Sequence, residues 1–299
     1  MRVFITGVTG QVGRAIAAHL AGQGYHVTGL SRRFRTVPGL FEHVEACLGS
    51  ENAIELICHE VQPCEAIVHA AASMSHDNGD PSISLTNCLG TQQILKLAAI
   101  WGSSQLVYLS SVPVIGRPLQ HPITEDHPTR PSTAYHASKL YGERLMHLAE
   151  SASCRAASLR LTSPSGPGTP ENRILSVFVS RAIAGSPLQV LGQGTRKQNY
   201  VDVRDVAAAV ETCLTRHASG VYNVASAESI SNHELARICI DELGSYSRVE
   251  FVAKPDPEEG TVWDVSISKA CRDLDYRPRL TIRDSIRAVA EEMSHRSNQ

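Results

Sequence analysis

The chain has 299 residues, 42% hydrophobic and 19% charged, enough to bury a sizeable core in one large domain or two small ones and to exclude disorder as its main state. With 28 Lys and Arg against 30 Asp and Glu, the formal charge is -2, which argues against a nucleic-acid partner recognised through a general basic excess. Neither a signal peptide nor a membrane span is expected, because no charged start leads into a long apolar run and no stretch approaches about 20 apolar residues.

The first strand is predicted at Arg2–Thr6 and the first helix at Gln11–Gln23, with Val12, Ile16, Ala17 and Leu20 at helical spacing. Next come a strand at His26–Leu30, a helix at Glu51–His59 and a strand at Glu65–Ala70. A helix at Leu85–Trp101, a strand at Gln105–Ser110, a long helix at Ser132–Glu150 and a strand at Arg155–Leu161 complete the regular part. Strands alternating with such helices imply βαβ units and a parallel sheet covered on both faces. Residues 162–171 then read as a loop by their Pro, Gly and Ser content. Beyond it the pattern gives a helix at Ile174–Ala184, a strand at Leu188–Leu191, a helix at Arg204–Thr215 and a strand at Val221–Val224. Helices at Ser231–Glu242 and Ile282–Met293 suit a smaller C-terminal lobe. The expected division is 1–163 plus 196–224 for a dinucleotide-binding domain, and 164–195 plus 225–299 for a substrate lobe. Eight cysteines are scattered with no Cys-x-x-Cys, which points to reduced thiols and a cytoplasmic protein. Thirteen histidines include no His-x-x-x-His pair, so no metal site is expected.

Chemistry enters at Gly7-Val8-Thr9-Gly10-Gln11-Val12-Gly13, directly after the first strand and opening the first helix. Gly7 suits a tight turn, Gly10 lets backbone approach a pyrophosphate, and Gly13 allows close helix–strand packing. The helix start then offers free N–H groups and partial positive charge to phosphates. The second strand ends in Ser31-Arg32-Arg33. An NAD site commonly has a carboxylate there for the ribose 2′-hydroxyl, whereas arginines suit a 2′-phosphate, so NADP(H) is favoured and NAD(H) remains possible.

Tyr135 and Lys139 are four apart on the predicted long helix and therefore share a face. A free phenol is a poor base at neutral pH. A nearby ammonium and an oxidised nicotinamide both favour phenolate, after which Tyr135 can exchange a proton with a substrate oxygen.

The spacing Gly-x-x-Gly-x-x-Gly, the Tyr-x-x-x-Lys pair and the Ser110–Gly116 segment together resemble the extended short-chain dehydrogenase/reductase family, which includes nucleotide-sugar epimerases, dehydratases and reductases. The resemblance covers nearly the whole chain. It implies an α/β fold with a doubly wound parallel, Rossmann-type sheet and a smaller C-terminal α/β substrate lobe. It makes Ser111, three residues before the valine position of the family's Val-Tyr-Gly, the third catalytic residue with Tyr135 and Lys139. Ser110 becomes a backbone-facing neighbour beside the cofactor. Further cofactor contacts are implied at Leu48, at Ala70, Ala71 and Ala72, at Asn87 in Asn-x-x-Gly-Thr, and at Thr162 and Pro164. Substrate contacts are implied at Ser73, His76, Ser163, Arg173 and Gln198, besides Ser111.

Departures narrow the reaction. Val112 and Pro113 replace the Asp-Glu of sugar-nucleotide dehydratases, and Pro113 also replaces the Cys of the epimerase-reductases that act at carbons 3 and 5. Ser163 and Gln198 stand where nucleotide-sugar members usually carry Asn and Arg against phosphates. The expected enzyme transfers hydride at a secondary alcohol or ketone of a sugar or nucleotide-sugar-like substrate, with reduction favoured. An NAD-dependent 4-epimerase is the first alternative, and a non-catalytic NADP-binding regulator is the alternative of another class. A homodimer is expected through the helices at Leu85–Trp101 and Ser132–Glu150, which carry Leu140, Met146 and Leu148.

Overall fold

The computed structural model describes residues 1–297. Its centre is a seven-stranded parallel sheet in the order β10-β6-β5-β4-β1-β2-β3. These strands are β1 (Arg2–Thr6), β2 (His26–Ser31), β3 (Glu42–Glu45), β4 (Ala66–His69), β5 (Gln105–Ser111), β6 (Arg155–Leu161) and β10 (Gly220–Val224). β1 is bonded to both β2 and β4, so the chain reverses its direction of winding there, and the carboxyl ends on either side form a crevice suited to a ligand.

Alternation along β1 assigns its side chains to two cores. Val3 and Ile5 pack under α1 (Gln11–Gly22) and α6 (Val203–Thr215), against Ile16, Leu20, Val206 and Val210. Phe4 faces the other way, toward Ile57 of α2 (Ala53–Glu60) and Ile94 and Leu97 of α3 (Gly90–Trp101). Burial on both faces explains why these strands read as continuous apolar runs. The long helix α4 (Ala134–Ala149) lies on the second face, and its Thr133 cap accepts from the His136 N–H at 3.2 Å.

The C-terminal lobe has its own core, built on α5 (Ile174–Ile183), α7 (Asn232–Glu242) and α9 (Ile282–Ser297), with Leu175, Phe178, Leu235 and Ile286 inside. Two small sheets accompany it. β7 (Ser163–Ser165), β9 (Lys197–Asp202) and β11 (Ser229–Ser231) form one; β8 (Leu188–Leu191) and β12 (Val249–Val252) form the other. A short helix, α8 (Ser268–Leu274), packs near β10.

Several expectations change. The helix expected at Leu85–Trp101 is a π-helical segment, Ile83–Leu89, that continues into α3. The Thr91 hydroxyl bonds the Asn87 carbonyl and so competes for a backbone acceptor in this turn. Part of the loop at 162–171 is β7, which pairs with β9. Of the side chains expected on a dimer face, Met146 is buried in the sheet core and Leu140 packs on the cluster of Val112 and Ile115. Leu148 is exposed, as are Leu85, Leu89, Ile100 and Tyr141 of the same helical elements.

Candidate active site

The glycine loop is shaped by close approaches. Gly7 has φ +69, and a Cβ there would lie 2.7 Å from the Ala71 Cα. A Cβ at Gly13 would lie 2.3 Å from the Gly7 carbonyl, so Gly13 lets the loop close on itself rather than pack on a strand. At Gly10 the nearest atom would be the Gly7 carbonyl at 3.3 Å, and the residue is exposed, leaving its outer side open to a ligand. No side chain among the described residues caps α1 at this end, which suits its N–H groups to a pyrophosphate. Thr9 and Val12 are half-buried beside the loop. The Gln11 side chain reaches away, donating to Thr169 Oγ1 at 2.9 Å, so what it offers a phosphate is backbone.

At the end of β2, Arg32 and Arg33 are exposed. Ser31 is buried, and its hydroxyl lies 2.8 Å from the Arg33 carbonyl and 2.7 Å from His43 Nε2. The Ser31 hydroxyl thus makes its polar contacts inside the protein. Leu48 is also buried, in the core with Phe4 and Val44.

Below the loop runs a buried hydrogen-bonded chain. The Ala71 N–H donates to Thr6 Oγ1 at 3.0 Å, and Thr6 Oγ1 lies 2.7 Å from His69 Nδ1. His69 Nε2 lies 3.0 Å from Thr91 Oγ1, whose hydroxyl donates to the Asn87 carbonyl. One direction satisfies every member: Thr6 donates to a neutral imidazole, and the imidazole donates to Thr91. Burial first, then the charge of Lys139, pushes the His69 pKa down to about 3, which keeps the ring neutral. Ala70 and Ala72 are half-buried on either side of Ala71.

Asn87 is a clamp. Its Oδ1 accepts from the Ser73 N–H at 2.7 Å, and its Nδ2 donates to the Ser73 carbonyl and to Ser138 Oγ. Both amide hydrogens are thus engaged, so Asn87 holds the loop after β4 against α4 rather than offering a donor to a cofactor. The Ser73 hydroxyl is shared with Ser82, and His76 is exposed nearby.

Ser110 and Ser111 end β5 and point to opposite faces, as strand alternation requires. Ser110 Oγ donates to Glu143 Oε1 at 2.6 Å, and Arg160 grips the same carboxylate with two bonds of 2.9 Å. Ser110 therefore brings only backbone to the site. Ser111 is half-buried, and its hydroxyl has no partner among the described residues. Lys139 is buried on α4. Its Nζ donates to the Leu109 carbonyl at 2.8 Å and lies 4.9 Å from the Tyr108 ring centre and 5.9 Å from that of Tyr135. Burial lowers the Lys139 pKa to about 8, against the raising influence of Glu143. Burial raises Tyr135 to about 12, and the charge of Arg173 opposes that rise. Gly142 makes room on the same helix: a Cβ there would lie 2.4 Å from Tyr108 Cζ.

Across the cleft, Thr162 Oγ1 donates to Asn199 Oδ1 at 2.9 Å, while Pro164 lies in β7. Ser163 Oγ donates to Gln198 Oε1 at 3.2 Å, so these two expected substrate residues meet each other. Arg173 is exposed at the start of α5 and has no ion pair among the described residues. Arg196, also near this end of the cleft in sequence, is paired with Asp256 and Glu258.

Sequence reasoning missed the Glu143–Arg160 pair, the His69 chain and His43. An arginine inside an otherwise apolar strand was the available signal for the first; nothing in the sequence linked His43 to Ser31.

Comparison with known proteins places these features in context. A dTDP-6-deoxy-L-talose 4-dehydrogenase (NAD(P)(+)) of Kitasatospora kifunensis is 28% identical over 302 residues, covering 96% of this chain and 94% of that protein. A Thermotoga maritima UDP-glucose 4-epimerase structure with UDP-glucose superposes with a TM-score of 0.90 at 19% identity, covering 99% and 100% of the two chains. The Thermus thermophilus UDP-glucose 4-epimerase complex with NAD gives a TM-score of 0.86 at 25% identity, covering 98% and 99%. The model of the NAD dependent epimerase/dehydratase family matches residues 3–225, from β1 through β10 and over every strand of the large sheet. The chain is an enzyme and belongs to the NAD dependent epimerase/dehydratase family.

Proposed function

We propose that the chain is an NAD(P)-dependent oxidoreductase acting at a secondary alcohol or ketone of a sugar or nucleotide-sugar-like substrate, with reduction the favoured direction. The observation that carries this reading is the pair of hydroxyls without partners among the described residues, Ser111 at the end of β5 and Tyr135 on α4, with the buried Lys139 ammonium 5.9 Å from the Tyr135 ring. The residues of the glycine loop fit a dinucleotide, since a Cβ at Gly7 or Gly13 would fill its turn. Gly7, Gly10 and Gly13, with the start of α1, would hold its pyrophosphate. Bound there, a nicotinamide group supplies the hydride chemistry.

The chain's own part is to manage one proton. Ser111 donates a hydrogen bond to the reacting oxygen and polarises it. Tyr135 gives a proton to that oxygen in reduction, or takes one in oxidation. Lys139 holds positive charge beside the phenol and thereby stabilises phenolate. The large sheet serves as the cofactor domain and the small sheets with α5, α7 and α9 as the substrate lobe. Arg32 and Arg33, both exposed and without ion pairs among the described residues, favour NADP(H).

A second reading, a 4-epimerase with retained NAD, is favoured by the tie between Gln11 and Thr169, which bridges the start of α1 and the substrate lobe. The cofactor released on denaturing the purified protein separates the two. Stoichiometric NAD supports the epimerase; an empty site that prefers NADPH supports the reductase. Tyr135→Phe is expected to cut turnover by about 10²–10⁴-fold while nucleotide affinity, read by titration, stays within about threefold. Unchanged turnover would remove Tyr135 from the chemistry. The exposed apolar residues Leu85 and Leu89 on the π-helical segment, Ile100 on α3, and Tyr141 and Leu148 on α4 support a homodimer through these helices. The free cysteines favour a cytoplasmic location.

A further inference from the structure

We propose that His43 makes phosphate recognition at the adenosine end of the cofactor site dependent on pH. This rests on the reading of that end as a 2′-phosphate site. His43 is half-buried on β3, next to the carboxyl end of β2, with the Phe34 ring 4.9 Å from its own. Its Nε2 lies 2.7 Å from Ser31 Oγ, and the ring also bonds the backbone of Arg35. Ser31 Oγ in turn lies 2.8 Å from the Arg33 carbonyl.

A hydroxyl has one hydrogen to give. A neutral imidazole that donates to Arg35 must accept at Nε2, which turns the Ser31 hydrogen toward the ring and away from the Arg33 carbonyl. A protonated imidazole donates from both nitrogens, to the Arg35 carbonyl and to Ser31 Oγ. Ser31 then donates to the Arg33 carbonyl, and every acceptor in the chain is satisfied. Protonation therefore adds a positive charge beside Arg32 and Arg33 and ties down the backbone that carries them.

The charged group acting on the ring is Glu45 of β3; Glu42 is its neighbour in that strand, and Arg32, Arg33 and Arg35 follow β2 in the chain. Glu42 accepts from Thr28 Oγ1 and Glu45 from the Phe34 N–H. Burial lowers the His43 pKa; the Arg35 carbonyl and Glu45 oppose that. A phosphate dianion opposes it further, and a ribose hydroxyl does not. NADPH binding then takes up a proton at His43 that NADH binding leaves in solution.

Dissociation constants for NADPH and NADH, measured at about pH 5.5 and about pH 7.5, test this in wild type, His43→Gln and Ser31→Ala. The 2′-phosphate itself titrates near pH 6 and acts in the opposite sense, so the comparison between proteins carries the result. On acidification the preference for NADPH is expected to rise by up to about tenfold more in wild type than in His43→Gln, one pKa unit of coupling being a factor of ten. Ser31→Ala, which keeps the ring but releases the Arg33 carbonyl, is expected to fall between them. An equal pH dependence in all three proteins overturns the proposal. Tighter binding of NADH than NADPH at both pH values defeats the reading of Arg32 and Arg33, whereas the role of His43 is judged only by the difference between wild type and variants.

Discussion

Tyr135 and Lys139 are displaced by burial in opposite directions, to about 12 and about 8. At neutral pH the free protein therefore holds a phenol and an ammonium, the pair suited to donating a proton during reduction. Lys139 carries its charge below about pH 8 and loses it above. Reductive turnover is expected to fall above that pH, by about tenfold per unit, in a pH–rate profile. Lys139→Arg, which keeps its charge, should move the fall to higher pH; an unmoved limb would assign it to another group. Tyr135 and Lys139 were legible because a spacing of four on a helix fixes their common face. The engagement of Ser31 was not, because its partner His43 lies on a neighbouring strand whose register no local pattern sets.

The same division holds for whole elements. The apolar strands and amphipathic helices of the large sheet were readable from periodicity, since burial on both faces dictates their composition. The π-helical turn at Ile83–Leu89 was not, because it goes with side chains that bond backbone, Asn87 with Ser73 of the preceding loop and Thr91 with Asn87 one turn back. β9 was missed because its polar sequence packs in a small sheet. Between β5, β6 and α4 lies the buried Glu143–Arg160 pair, 2.9 Å apart. Arg160→Met leaves that carboxylate unpaired and is expected to cost about 3–5 kcal/mol in a denaturant titration. Adding Glu143→Met should recover much of the loss; no recovery would mean that packing, not charge, was removed.

Across the whole molecule, pH and association are the readable variables. The unfolded chain protonates His69 near 6.5 and the folded chain only near 3. Unfolded molecules therefore bind more protons in that window, and stability is lost as pH falls through it, by up to about 1.4 kcal/mol per unit. His69→Gln is expected to flatten this slope whatever its stability at neutral pH. An unchanged slope would place the acid sensitivity elsewhere. Leu89→Asp, at an exposed apolar residue ending the π-helical segment, is expected to convert a dimer into a single chain by sedimentation at micromolar concentration. A wild-type protein that already sediments as one chain would contradict the dimer.

The contact between Gly142 and Tyr108 has a mechanical meaning for this arrangement. Tyr135, Lys139 and Gly142 follow one another at helical spacing along one side of α4, and the Tyr108 ring lies against the last two. A rotation or axial slip of the helix would carry a side chain into the notch where Gly142 receives that ring. The helix is thus keyed to the sheet at a single azimuth, as a slot fixes a shaft. The aim of the phenol is set two turns away from it, by an atom that the chain leaves out.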